Sequence, residues 1–82
     1  MPTMVTKEQI RDLIAAHLEC SRLDVLGDDG AHFEALVVSK AFEGKRLVQR
    51  HQLVYAALGD RMREEIHALS MKTLTPEEHA GR

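Results

Sequence analysis

The sequence has no tryptophan, one tyrosine, two phenylalanines, two prolines and one cysteine among its 82 residues. A single cysteine, Cys20, excludes an internal disulfide and suits a reducing compartment. So few aromatics leave little on which nucleic-acid bases could stack. No apolar run approaches the ~18 residues of a membrane span. The start, Met1-Pro2-Thr3-Met4, leads directly into a charged segment rather than a secretory apolar stretch. The expected location is the cytoplasm. There are no internal repeats, low-complexity tracts or glycine-rich phosphate loops. Neither an H-E-x-x-H pattern, a cysteine-rich ligand spacing nor a Ser-His-Asp or Cys-His arrangement can be read. Nothing therefore supports an enzyme.

What is present fits one small domain spanning residues 1–82, with an ordered core of about 5–78. An apolar content of 44% and a charged content of 29% are enough to drive a globular core and too apolar for a disordered chain. The net charge of −2 gives no global reason to bind nucleic acid, but the charge is unevenly placed. Residues 1–39 and 64–82 are acidic. Between them Lys40, Lys45, Arg46, Arg50, Arg61 and Arg63 outnumber Glu43 and Asp60. The middle of the chain is a basic segment in an acidic protein.

Local patterns predict the elements. Thr6-Lys7-Glu8-Gln9 reads as a capping box, with Val5 and Ile10 at the hydrophobic-staple positions, opening a helix over 7–19. Ser21–Leu26 and His32–Ser39 read as strands joined by the turn-forming Gly27-Asp28-Asp29-Gly30. Ala35–Val38 is apolar on both faces, as in a strand covered on two sides. A turn at Glu43-Gly44 precedes a helix over 46–58. Its stripe Leu47, His51, Val54, Tyr55 and Leu58 predicts the buried face. Gly59 ends it, and Asp60 can cap a short helix to about Glu65. Ile66–Thr73 alternates as a third strand, with His67, Leu69, Met71 and Thr73 on one side. Thr75-Pro76 begins a C-terminal helix.

The order is α-β-β-α-α-β, an α+β domain with helices on one face of a three-stranded mixed sheet. A right-handed crossover makes the second and third strands parallel. Parallel strands start at the same edge, so His32 and His67, each at a strand start, come to one end of the sheet. Two imidazoles leave coordination positions for outside ligands, and thiolates beside two histidines suit an iron–sulfur cluster. An exposed loop histidine and a packed strand histidine are the plainer alternative. His51, on an apolar face, reads as a core histidine donating to a backbone carbonyl. Lys45, Arg46 and Arg50 could instead meet phosphates. The layout resembles the type II KH fold, but its G-x-x-G grip is represented here by Gly44 alone.

Phe42-x-Gly44-Lys45-x-x-Val48-x-Arg50-His51-x-x-Val54-Tyr55-x-x-Leu58, followed by Ile66-His67-Ala68-Leu69-Ser70-x-Lys72-Thr73-x-Thr75-Pro76-Glu77-Glu78, resembles the BolA family. His32-Phe33 and Val37-Val38-Ser39 extend the likeness, which is similar to the IbaG-type bacterial branch and covers nearly the whole chain. The resemblance implies a KH-like fold without the G-x-x-G loop. It implies a partner, a monothiol glutaredoxin, and a [2Fe–2S] cluster shared with that protein and glutathione, with none held by the isolated chain. His67 and His32 would be this chain's ligands. Independently of the resemblance, the positive charge of Lys45, Arg46 and Arg50 suits them as a docking surface, because charge complementarity steers association. Some members are DNA-binding transcriptional regulators, which keeps DNA as the competing partner. Alone, the chain would be a monomer or weak homodimer, with no membrane partner. Where the family commonly has tryptophan after Thr-Pro-Glu-Glu, this chain has His79.

Overall fold

A computed structural model describes residues 5–27, 32–59 and 68–81. Helix α1 (Lys7–His17) begins as its sequence requires. Gln9 N–H donates to Thr6 Oγ1 at 3.1 Å and Thr6 N–H to Gln9 Oε1 at 2.9 Å. These two bonds satisfy donors that a helix start otherwise leaves orphaned. Val5 and Ile10 are both buried in the core, so the staple fixes how the chain enters. The helix stops at Leu18, whose φ of −131° and ψ of 132° are extended.

Strand β1 (Cys20–Leu26) pairs antiparallel with β2 (His32–Ser39), and β2 pairs parallel with β3 (Ala68–Leu74). The sheet order is β1-β2-β3. A 3-10 turn over Lys40–Phe42 and a turn at Gly44, whose φ of +75° suits glycine, lead into α2 (Leu47–Leu58). Gly59, φ +63°, ends α2. The last helix, α3 (Pro76–Ala80), has Thr75 as N-cap and Pro76 at its first position. The short helix predicted after Asp60 lies outside the described residues, as do Ile66 and His67.

The core lies between α1, α2 and one face of the sheet. Ile10, Ile14 and Leu18 from α1 meet Phe33, Ala35 and Val37 from β2, with Phe42, Val54 and Leu58 closing the cluster. Full burial of side chains such as Ile10 and Ile14 contributes roughly 1.5–3 kcal/mol each. On β3, Leu69, Met71 and Thr73 turn toward this side while Ser70 and Lys72 are exposed, as the alternation requires. Val38, opposite in the pleat, is also fully buried. Both faces of β2 are therefore covered at this end, where α3 touches β2 and β3. Farther along the second face, Asp24, Leu26, Glu34, Leu36, Lys72 and His79 border an open recess of ≈ 440 Å³.

One predicted face is rotated. Val54 and Leu58 are buried, but Leu47 and Tyr55 from the same stripe are exposed. The buried side of α2 instead runs through Val54, Ala57 and Leu58, with Leu53 partly buried and Arg50 at its margin. Burial of Val54, Ala57 and Leu58 sets this orientation, and it brings Arg50 beside β3 and α3, where it reaches the Thr73 carbonyl and Glu78.

Candidate functional site

At the start of β2, His32 is exposed and stands opposite Ala68 in the parallel register. Ala68 is joined in the chain to His67, which itself lies outside the described residues. The crossover that sequence order required has thus brought the beginnings of these two strands to one edge. Gly27 helps to set that edge. A Cβ there would stand 2.9 Å from the His32 carbonyl oxygen and would collide with the Phe33 ring. Glycine is the residue that allows this approach of the incoming loop to the histidine's backbone.

At the other end of the same strands the polar contacts are dense. Ser39, fully buried, donates from Oγ to the Glu19 carbonyl at 2.7 Å and accepts from Ala41 N–H at 3.1 Å. Arg50 donates through Nη1 to the Thr73 carbonyl at 3.1 Å and to Glu78 Oε1 at 2.8 Å. Its Nη2 reaches Glu78 Oε2 at 3.2 Å, completing a two-pronged pair. Nε donates to the Lys45 carbonyl at 3.0 Å, and the guanidinium lies 5.9 Å from the centre of the Phe42 ring. Glu78 also accepts from Thr75 N–H at 2.9 Å, while Thr75 Oγ1 accepts from Glu78 N–H at 3.0 Å. The Arg50 hydrogen bond, then the bond from the Thr75 backbone, lowers the Glu78 carboxyl from an ordinary 4.5 to about 2. Glu78 in turn raises the pKa of Arg50.

This network changes the reading of the basic segment. Arg50, with its side chain 13% exposed, ties α2 to β3 and α3. Lys45 and Arg46 remain exposed at the start of α2. Arg46 N–H donates to Gln49 Oε1 at 2.9 Å, closing the helix start.

The remaining histidines lie on three different helices, His17 on α1, His51 on α2 and His79 on α3. His17 is exposed, with Nδ1 3.0 Å from the Leu13 carbonyl oxygen. His51 meets Tyr55 edge-on, ring centres 6.5 Å apart. The backbone carbonyl expected for it is missing: Nε2 is buried without a hydrogen-bond partner among the described residues. His79 is half-buried beside the recess on the second sheet face. Cys20 is partly buried, and burial raises its thiol pKa. Among the described residues, no three His, Cys, Asp or Glu side chains gather as a metal site. No described helix is long and apolar enough to cross a membrane.

A three-stranded mixed sheet with one parallel crossover and two helices on its core face, with Gly44 alone at the turn before α2, defines a KH-like α+β domain. The chain belongs to the BolA family: the BolA-like protein family model matches residues 5–78. It is 50% identical over 72 residues to Protein BOLA2 of Arabidopsis thaliana, covering 84% of this chain and 76% of that one. The structure of a bolA protein homologue from Coxiella burnetii superimposes with a TM-score of 0.82 at 49% identity, covering 94% of this chain and 99% of that one. The BolA domain of SufE1 from Arabidopsis thaliana gives a TM-score of 0.77 at 39% identity over 88% of this chain and 93% of that one. The DNA-binding transcriptional regulator BolA of Escherichia coli is 28% identical over 87 residues, 95% of this chain and 83% of that one. Family membership fits an iron–sulfur-related or regulatory role.

Proposed function

We propose that this chain is an iron–sulfur accessory protein that binds a monothiol glutaredoxin and holds one side of a shared [2Fe–2S] cluster, for iron-status signalling or cluster delivery. The observation that carries this reading is the parallel register that sets His32 opposite Ala68, the chain neighbour of His67. The donor set suits a shared group rather than a closed one. Neutral imidazoles are good ligands for iron, and two of them leave the remaining positions to thiolates from outside. His67 and His32 would be the ligands of this chain, with the glutaredoxin cysteine and glutathione completing the set. When bound, the cluster supplies a redox-active group whose stability depends on both proteins. Lys45 and Arg46, exposed beside the turn at Gly44, would steer an acidic partner surface.

The test is anaerobic reconstitution of the chain with a monothiol glutaredoxin and glutathione, followed by sizing and visible absorbance and circular dichroism. A mixed complex with a cluster spectrum distinct from that of the glutaredoxin alone supports the proposal. Absence of any complex removes it.

A second reading, DNA binding, is favoured by the same two exposed cations. It predicts that Lys45→Glu and Arg46→Glu weaken binding with a shallower salt dependence, while histidine substitutions leave binding nearly intact. The engagement of Arg50 with Glu78 weakens this reading, because the third cation of the set already has an anionic partner.

A further inference from the structure

Gly27 stands where the antiparallel ladder runs out. That ladder ends at Leu26 and Glu34, so Phe33 and His32 lie beyond it on the β1 side. Their other side is held, because His32 and Phe33 are in register with Ala68 and Leu69 of β3. Gly27 packs on the side that β1 leaves. A Cβ there would stand 2.9 Å from the His32 carbonyl oxygen and 2.9 Å from Phe33 Cε1, and would collide with Phe33 Cδ1. Ordinary contact begins at 3.4 Å, so an added methyl group requires a shift of about 0.5 Å or more. Gly44 and Gly59 have positive φ, and Gly27 does not. Space, not backbone conformation, is what asks for glycine at this position.

The shift has few places to go. Phe33 is 3% exposed and belongs to the core cluster with Ile10, Ile14 and Val37, where close packing resists movement of a ring. His32 is exposed and shares a peptide unit with Phe33. That unit is planar, and neighbouring side chains on a strand leave by opposite faces. The contact that seats Phe33 in the core therefore also sets the direction in which His32 leaves the strand. Groups that orient a metal ligand are commonly worth tenfold or more in affinity.

We propose that Gly27 is a positioning residue for His32. By packing on Phe33 and on the peptide between residues 32 and 33, it holds the imidazole in the bearing that a cluster ligand needs. This role rests on the proposed cluster function and assigns a part in it to a turn glycine that carries no donor side chain of its own.

The experiment compares the parent, Gly27→Ala and Gly44→Ala, each reconstituted with a monothiol glutaredoxin and glutathione, with far-UV circular dichroism as the folding control. Gly44→Ala is strained by a φ of +75° but has nothing within 4 Å of its Cβ, and it lies toward the other end of the strands. Gly27→Ala is expected to give a shifted visible circular dichroism and to lose its cluster to a chelator about tenfold faster than the parent. Gly44→Ala should keep the parent's spectrum and rate. In the metal-free chain, Gly27→Ala should move the amide NMR signals of His32, Phe33 and Ala68 more than those of Ser39 and Thr73. In a His32→Ala background, Gly27→Ala should change the rate by less than about twofold, because the residue it acts through is gone. If Gly27→Ala does not fold, Gly27→Ala with Phe33→Leu removes the ring but keeps the approach to the His32 carbonyl, and it carries the same comparison against Phe33→Leu alone. A Gly27→Ala cluster with the parent's spectrum and rate overturns the proposal. So does an equal change in Gly44→Ala, or an undiminished effect in the His32→Ala background. A parent that forms no cluster is a different failure, which removes the cluster function and the role of Gly27 with it.

Discussion

Where β2 and β3 finish, Ser39 is bonded to Glu19 and Ala41, and Arg50 joins the Thr73 carbonyl to Glu78, which also accepts from Thr75 N–H. Where the same strands begin, the register sets exposed His32 against Ala68, and Gly27 packs on Phe33. The first end closes most of its donors and acceptors on each other, although the buried Thr73 Oγ1 has no partner among the described residues. The second presents a histidine to solvent. The difference teaches how a chain of 82 residues, with limited surface to bury, can offer a ligand at an edge. The polar network that joins its terminal helix to the sheet lies away from that edge.

The comparison would be broken most sharply at the two histidines proposed as ligands. His67→Ala is expected to abolish the visible absorbance and circular dichroism of the shared cluster in the mixed complex, and an unchanged spectrum would discard that assignment. For His32→Ala the expected spectrum is weaker or shifted, because the adjoining loop can offer a substitute. Its thermal stability should stay within about 0.5 kcal/mol of the parent, as for most exposed positions. A large loss of stability would mean that His32 belongs to the fold.

At the closed end the effects should reverse. Ser39→Ala leaves the Glu19 carbonyl and the Ala41 N–H without their partner and should cost about 2 kcal/mol in urea unfolding. Thr75→Ala removes the cap of α3 and should cost about 1 kcal/mol. Both variants should reconstitute the cluster with the parent's spectrum. If Ser39→Ala altered the spectrum at unchanged stability, the two ends would not be separable in this way.

How much of this could be read beforehand follows the range of each interaction. The capping boxes at Thr6–Gln9 and Thr75–Glu78 close over three residues, so sequence spacing exposes the first and signals the second through Thr75-Pro76. The two-sided apolar run Ala35–Val38 and the alternation of Leu69, Met71 and Thr73 are equally local. The parallel crossover follows from element order and handedness, and the juxtaposition of strand starts comes with it. The role of Arg50 could not be read this way. Its partner is Glu78, 28 residues on, and a charge in a basic run looks like any other until its partner is in place. The buried face of α2 was misplaced too. A five-residue apolar stripe spans more of a helix than one contact covers, and sequence alone does not show which edge turns inward. Gly27 was legible as a turn residue, but the close approach to His32 and Phe33 that needs glycine was not.

The smallest expected effect is the one that tests whether the closed end is held by charge. Glu78 has a folded pKa of about 2 against an ordinary 4.5. A carboxyl depressed by folding adds stability above its unfolded value and loses it as pH falls through its folded value. The contribution should therefore be complete above 4.5 and decline through the window down to about 2. Glu78→Gln keeps the oxygen that accepts from Thr75 N–H and removes the charge. Parent and variant should differ at neutral pH and converge as the pH approaches the lower limit, read as the difference in urea midpoint. Because Glu78 is partly exposed, water screens the pair and the difference should be modest. A difference that persists unchanged to the lowest pH would assign the work of Glu78 to hydrogen bonding and packing. No difference at neutral pH would leave the Thr73 and Lys45 carbonyls, rather than the ion pair, as what holds Arg50 in place.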